Sequence, residues 1–216
     1  MSRDDIVVRH GRTTDVLGQV AAAEEGLSYQ ERQRAASFRF SQDRDDFIAS
    51  HALARICASD LLQIPCGNLR LVQRCSTCGG AHGRPIIEGM GHIHVTLSHS
   101  RGWVAAAAAT GAVGVDVESI GDSQLDDGVL HYATTEPERR LILQATAQQA
   151  AFLTIWVLKE SLVKVGAITL DRLPEADLAD CFSPDGRLTA HSQWRGYRLR
   201  AWTEGDAIFG SAAALP

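Results

Sequence analysis

The chain has 216 residues, of which 45% are hydrophobic and 22% charged, with a formal net charge of −5. That composition describes an ordinary globular protein of one large domain or two small ones, and the negative balance argues against a general nucleic-acid binder while leaving room for a local basic groove. No apolar run is long enough to span a bilayer, Met1-Ser2-Arg3-Asp4-Asp5 has no signal-peptide core, and five cysteines, an odd number, point to free thiols in a reducing cytoplasm.

In chain order, Ile6-Val7-Val8 predicts a short strand and Leu17-Gly18-Gln19-Val20-Ala21 lies in a helix after it. Ser28-Tyr29-Gln30-Glu31 fits a capping box that starts another helix. Arg32, Arg34, Arg39 and Arg44 follow, interleaved with Phe38 and Phe40. From Asp43 to Leu62 the pattern is helical, with Phe47, Ile48, Leu53, Ile56, Leu61 and Leu62 as core candidates, and Ile64-Pro65 ends it. Cys75, Cys78 and His82 offer three zinc ligands where a closed structural site takes four. A fourth from Cys57, Cys66, Cys181, His92 or His94 would need a contact made by the fold, so the stretch reads as a Gly-rich turn with free thiols. An alternating strand begins at His92 and closes on Ser98-His99-Ser100. Trp103 to Ala109 reads as a buried strand whose small side chains pack on the Asp43–Leu62 helix.

Valine at 113, 115 and 117 alternates with Gly114, Asp116 and Glu118, which is strand periodicity. Asp116 and Glu118 therefore share a face, roughly 7 Å apart along the strand. Taken alone, this is an edge strand with a solvated acidic face. Ser119 to Gly128 reads as a polar loop, and Thr135-Glu136-Pro137-Glu138 as a helix start with a capping box and a tolerated proline. The helical region from Glu136 to Val165 breaks near 145–149. Within it, Ile155, Leu158, Leu162 and Val163 recur at helical spacing, and Glu160 and Lys164 lie about 40° apart around the axis. Taken alone, that pair is a helix stabiliser worth ~0.2–0.5 kcal/mol. Were the helix to set Glu160 opposite Asp116 and Glu118, three carboxylates would form an all-oxygen site suited to Mg²⁺, and Lys164 would hold a phosphate as a point charge. Strands near Tyr197–Thr203 and Ala207–Ala213 complete the chain.

G-V-D-V-E at 114–118, followed some forty residues later by W-x-x-K-E-S-x-x-K at 156–164, resembles the signature pair of the Sfp-type (surfactin-type) 4′-phosphopantetheinyl transferases. Val95-Thr96-Leu97-Ser98-His99-Ser100 with Trp103-Val104-Ala105 resembles the family's L-S-H-S strand and its apolar successor, and His82-Gly83-Arg84-Pro85 its G-K/R-P turn. The resemblance implies an α+β fold: a pseudo-twofold duplication of two similar α/β subdomains, 1–111 and 112–216, with coenzyme A in the cleft between them. It implies transfer of the 4′-phosphopantetheine arm of coenzyme A to a serine of an apo acyl or peptidyl carrier protein, releasing adenosine 3′,5′-bisphosphate. Asp116, Glu118 and Glu160 would hold Mg²⁺, and Lys164 would stabilise the leaving group. Glu160, Glu118 or a metal-bound water would take the serine proton. Arg44, Arg84, Pro85, Ser98 and His99 would contact coenzyme A, His99 through a phosphate. Trp156 and Lys159 are assigned to packing, with a phosphate contact also open to Lys159.

The pattern departs from the family at two places. Relatives often carry basic residues beside the Phe47 position, where this chain has Asp45 and Asp46, a change expected to bear on the hold on the 3′-phosphate, with Arg44 as a compensating cation. Gly166-Ala167-Ile168 stands where relatives often have Gly-x-Gly. The family's long chains usually act as monomers, and residues 119–135 with the following helix are the expected carrier surface. The other readings are a non-catalytic coenzyme A-binding module, a carrier-docking regulator, and a Mg²⁺ enzyme acting on another nucleotide diphosphate.

Overall fold

The computed structural model describes residues 6–19, 26–73, 79–80, 83–121, 125–183, 187–189 and 192–215. The expectations for residues 20–21, for Cys75, Cys78 and His82, and hence the zinc reading, lie outside the described residues. Helices and antiparallel sheets mix in an α+β architecture that divides into two compact units, one running to Val113 and the other Gly114–Leu215.

In the first unit, β1 (Ile6–Arg12) leads into α1 (Thr13–Gln19), α2 (Tyr29–Ala36) and the long α3 (Ser41–Leu62). The capping box read at Ser28 forms: its side chain accepts from Glu31 N, and the Glu31 carboxylate accepts from Ser28 N. α3 ends at Gln63 in the left-handed region (φ 56°), ahead of Pro65. The short β2 (Leu71–Gln73) and β3 (Pro85–Ile87) pair with each other, and β4 (His94–Ser100) and β5 (Trp103–Ala109) join β1 in a sheet of order β1-β5-β4. β5 is buried from end to end. Its alanines let α3 come close: Ala49, Leu53, Ala54, Cys57 and Ala58 share one cluster with Val95, Val104, Ala106 and Ala108, and Cys57 Sγ donates to Ala106 O.

In the second unit, β6 (Val113–Ser119) is followed by α4 (Asp127–Ala133), α5 (Glu136–Gln144) and α6 (Gln148–Val165). α4 falls partly on the stretch read as loop. Asp126 starts it by accepting from Val129 N, a one-residue cap that a run of polar residues hides. Thr135 and Glu138 form the expected box at α5, and the helical region breaks at 145–147 as the pattern predicts. Gly166 stops α6 with φ 85°. β7 (Gln193–Trp194), β8 (Tyr197–Glu204) and β9 (Ala207–Ala214) complete a sheet of order β6-β9-β8-β7, with Trp202 stacked on Phe209 between adjacent strands.

Each unit therefore opens on a strand, sends the chain through helices, and returns a later strand to pair with the first: β5 to β1, and β9 to β6. The longest helix of each then lies against that sheet.

Candidate active site

Strand alternation places Gly114, Asp116 and Glu118 on one face of β6, and that face meets α6. The approach is close. A Cβ built on Gly114 would stand 2.9 Å from the carbonyl carbon of Ser161 and 3.1 Å from Val165 N, inside contact distance of helix backbone. On the neighbouring strand, a Cβ on Gly210 would meet Val157 backbone at 2.7–2.8 Å. Two glycines thus let α6 rest almost directly on β6 and β9 through Val157 and Ser161, one turn apart. Ser161 Oγ donates back to Val157 O, keeping its hydroxyl satisfied in that buried seam.

One turn further, Lys164 reaches β6: its Nζ donates to Asp116 Oδ1 at 2.7 Å and to Val115 O at 3.0 Å. Asp116 is only 5% exposed, so the acidic face expected of an edge strand is covered by the helix instead of solvated. Glu160, on the same side of α6, is raised to about 7 by burial, by Asp116 and by Glu118, with Lys164 opposing. Asp116 and Glu118 are therefore both within electrostatic reach of Glu160 and disfavour its charge.

Among the described residues no three ligating side chains stand at metal-holding distance. The donor set still fits a hard divalent cation: three carboxylates from two facing elements, with the Lys164 ammonium already serving Asp116 as a cationic partner. The Lys164 ammonium is paired with the Asp116 carboxylate here.

Lys159 is placed differently from its neighbour. It is 0% exposed, and its three ammonium donors go to Glu138 Oε2 (2.6 Å), Ala133 O (2.8 Å) and Leu173 O (3.0 Å). Burial lowers its pKa and the Glu138 charge pulls the other way. Every donor of Lys159 is thus engaged by a protein acceptor. Glu138, also 0% exposed, accepts from Thr135 N and, through Oε1, from Leu178 N. Sequence reading found Glu138 only as a capping residue. A lysine flanked by Val157, Leu158 and Leu162 on an apolar helix was the signal that it needed a buried partner.

The first unit holds the remaining predicted residues. Arg44 is half-buried on α3, Arg84 is exposed just before β3, and Pro85 is buried at its start. Arg84 Nη2 donates to His94 Nδ1 at 2.6 Å, and burial together with that guanidinium holds His94 below the ordinary histidine range. Ser98 is buried and His99 exposed at the end of β4. Asp46 does not face outward as a change in a cationic site would. It is buried and accepts from Thr13 Oγ1, from Gln42 Nε2 (2.8 Å) and from Gly102 N (3.0 Å), joining α1, α3 and the β4–β5 turn. A second buried set was missed: Glu31 accepts from His51 Nδ1 and Arg55 Nη2, each at 2.6 Å, across α2 and α3.

Residues 112–214 match the family model of the 4′-phosphopantetheinyl transferase superfamily. The chain is similar to the 4′-phosphopantetheinyl transferase psf-1 of Bacillus pumilus, 26% identical over 139 residues covering 64% of this chain and 57% of that protein. It is 24% identical over 138 residues to the 4′-phosphopantetheinyl transferase Sfp of Bacillus subtilis (strain 168), covering 64% of this chain and 59% of that one. Over 86 residues it is 34% identical to the 4′-phosphopantetheinyl transferase gsp of Aneurinibacillus migulanus, covering 38% and 34%. The match to psf-1 and to Sfp thus spans less than two thirds of their length. The matched region contains β6 and α6 with all four facing residues, so the candidate site lies in the part of the chain that is similar to 4′-phosphopantetheinyl transferases.

Proposed function

We propose that the protein transfers the 4′-phosphopantetheine arm of coenzyme A to a serine of an apo carrier protein, releasing adenosine 3′,5′-bisphosphate. The observation that carries this reading is the apposition of Asp116 and Glu118 on β6 with Glu160 and Lys164 on α6. In the reaction the serine oxygen bonds to the phosphorus that carries pantetheine, the bond from that phosphorus to the bridging oxygen breaks, and the serine proton passes to a carboxylate. Glu160 is the first candidate for that proton and Glu118 the second. In the metal-free chain burial and neighbouring charges raise Glu160 to about 7, so it exchanges a proton near neutral pH, which supports placing it first. Asp116, Glu118 and Glu160 would hold Mg²⁺, which when bound would neutralise charge on the pyrophosphate. Lys164, on the flexible stem of its side chain, would steady a non-bridging oxygen on the leaving side.

Arg44, Arg84, Pro85, Ser98 and His99 would contact coenzyme A, Arg84 and His99 through phosphates. The shared order of elements in the two units supports reading them as a duplication, the first serving the nucleotide and the second the carboxylates and the carrier. For the carrier, the α4 surface has the right character: Val129 is 43%, Tyr132 52% and Leu170 49% exposed, and Tyr132 Oη donates to Leu170 O, holding part of that apolar surface together. Adenosine 3′,5′-bisphosphate should appear when the protein is incubated with coenzyme A, apo carrier and Mg²⁺, and each of the three should be required. Coenzyme A binding without release across several carrier types would instead mark a non-catalytic module.

A further inference from the structure

The Lys164 ammonium and a divalent cation would make claims on the same oxygen. Lys164 Nζ lies 2.7 Å from Asp116 Oδ1, and a second acceptor, Val115 O at 3.0 Å, fixes its direction along β6. A cation bound to that oxygen at the usual ~2.1 Å would stand no more than about 5 Å from the ammonium, where like charges repel. The Asp116 side chain is almost wholly covered, so little water intervenes, while Lys164 keeps about a quarter of its side chain exposed, enough to swing away.

We propose that Lys164 competes with the divalent cation for Asp116, so that cation binding displaces the ammonium from the carboxylate and frees it for the substrate's phosphate. Loading the cation and delivering the lysine are then one coupled event. This rests on reading Asp116, Glu118 and Glu160 as the cation's carboxylates, and goes beyond it by assigning Lys164 an opposing role in the free protein. Lys164 weakens cation binding before substrate arrives, although it assists the reaction afterwards.

The test is Mn²⁺ binding to the full chain without coenzyme A, followed by the electron paramagnetic resonance of free Mn²⁺. Lys164→Met and Lys164→Gln should each bind Mn²⁺ roughly three- to tenfold more tightly than wild type, and Lys164→Arg, which keeps the charge, within about twofold of it. Affinity that is unchanged or weaker in both neutral variants overturns the proposal. Asp116→Asn separates this from failure of the underlying reading: it should lose at least about tenfold in Mn²⁺ affinity, and wild-type binding by Asp116→Asn would mean that the ion sits elsewhere. In the unmodified protein, acetylation of Lys164 by acetic anhydride, quantified by peptide mass, should rise when Mn²⁺ is added. Protection or no change would count against displacement.

Discussion

Burial pushes Glu31 on α2 and Glu160 on α6 the same way, yet the two are shifted in opposite directions, and the partners decide the sign. For Glu31, burial would raise the pKa, but hydrogen bonds from His51 and Arg55 outweigh it and pull the group down to about 2. A depressed carboxylate contributes stability that is complete above its unfolded value of 4.5 and is lost as pH falls toward 2, about 3 kcal/mol in all. The stability advantage of wild type over Glu31→Gln, measured by urea unfolding, should therefore shrink across that window. Glu160 has like charges for neighbours and is raised to about 7, so between 4.5 and 7 the folded chain holds a proton that the unfolded chain has released. Stability in EDTA should fall as pH rises through that range, and Glu160→Gln should flatten the slope in thermal melts; an equal slope in both proteins would mean that another group titrates. Lys159 and Glu138 are a third case, opposite charges buried together. Lys159→Met strands the Glu138 carboxylate and should cost about 3–5 kcal/mol, whereas Lys159→Met with Glu138→Leu should recover part of that loss in urea unfolding. Adjacent residues of one motif, Lys159 and Glu160, differ this much because successive helical side chains point about 100° apart, one into the core and one toward β6.

The seating of α6 on β6 and β9 sets where those side chains meet. The alternation of Val113 to Glu118 was readable because a strand repeats every two residues, and the capping box at Thr135 because its chemistry is local. What the pattern could not convey was the depth of the helix in the sheet, since a glycine in a strand announces only a missing side chain. Gly114→Ala would drive a methyl group into Ser161 backbone, and the helix would have to lift. The expected result is a loss of about 1–3 kcal/mol with a fall of roughly 10²-fold in transfer rate, because Lys164 and Glu160 move away from Asp116 together. Gly210→Ala tests the other side of the seam, where Val157 meets β9. A Gly114→Ala protein with wild-type stability and rate would contradict the close seating. α4 and the Asp46 network were unreadable for a related reason: Asp126 and Asp46 look like any surface acid until their backbone and side-chain donors are found.

At the scale of the molecule, composition pointed to an ordinary globular chain of one large domain or two small ones, and motif order pointed to the resemblance with 4′-phosphopantetheinyl transferases. The contacts that give each unit its identity span too many residues for periodicity to reveal: β1 with β5, β6 with β9, and the buried ion pairs across helices. Asp46 holds α1 and the β4–β5 turn to α3, so its charge is spent on the scaffold of the first unit.

In the proposed function, the carboxylates and lysine facing each other across β6 and α6 carry out phosphopantetheine transfer. Its most direct test is the intact mass of an apo carrier protein after incubation with this protein, coenzyme A and Mg²⁺. The account predicts a gain of one phosphopantetheine arm with wild type, no gain in EDTA, and with Glu160→Ala a rate reduced by on the order of 10²–10³. A carrier modified equally fast by Glu160→Ala, or in EDTA, would contradict it.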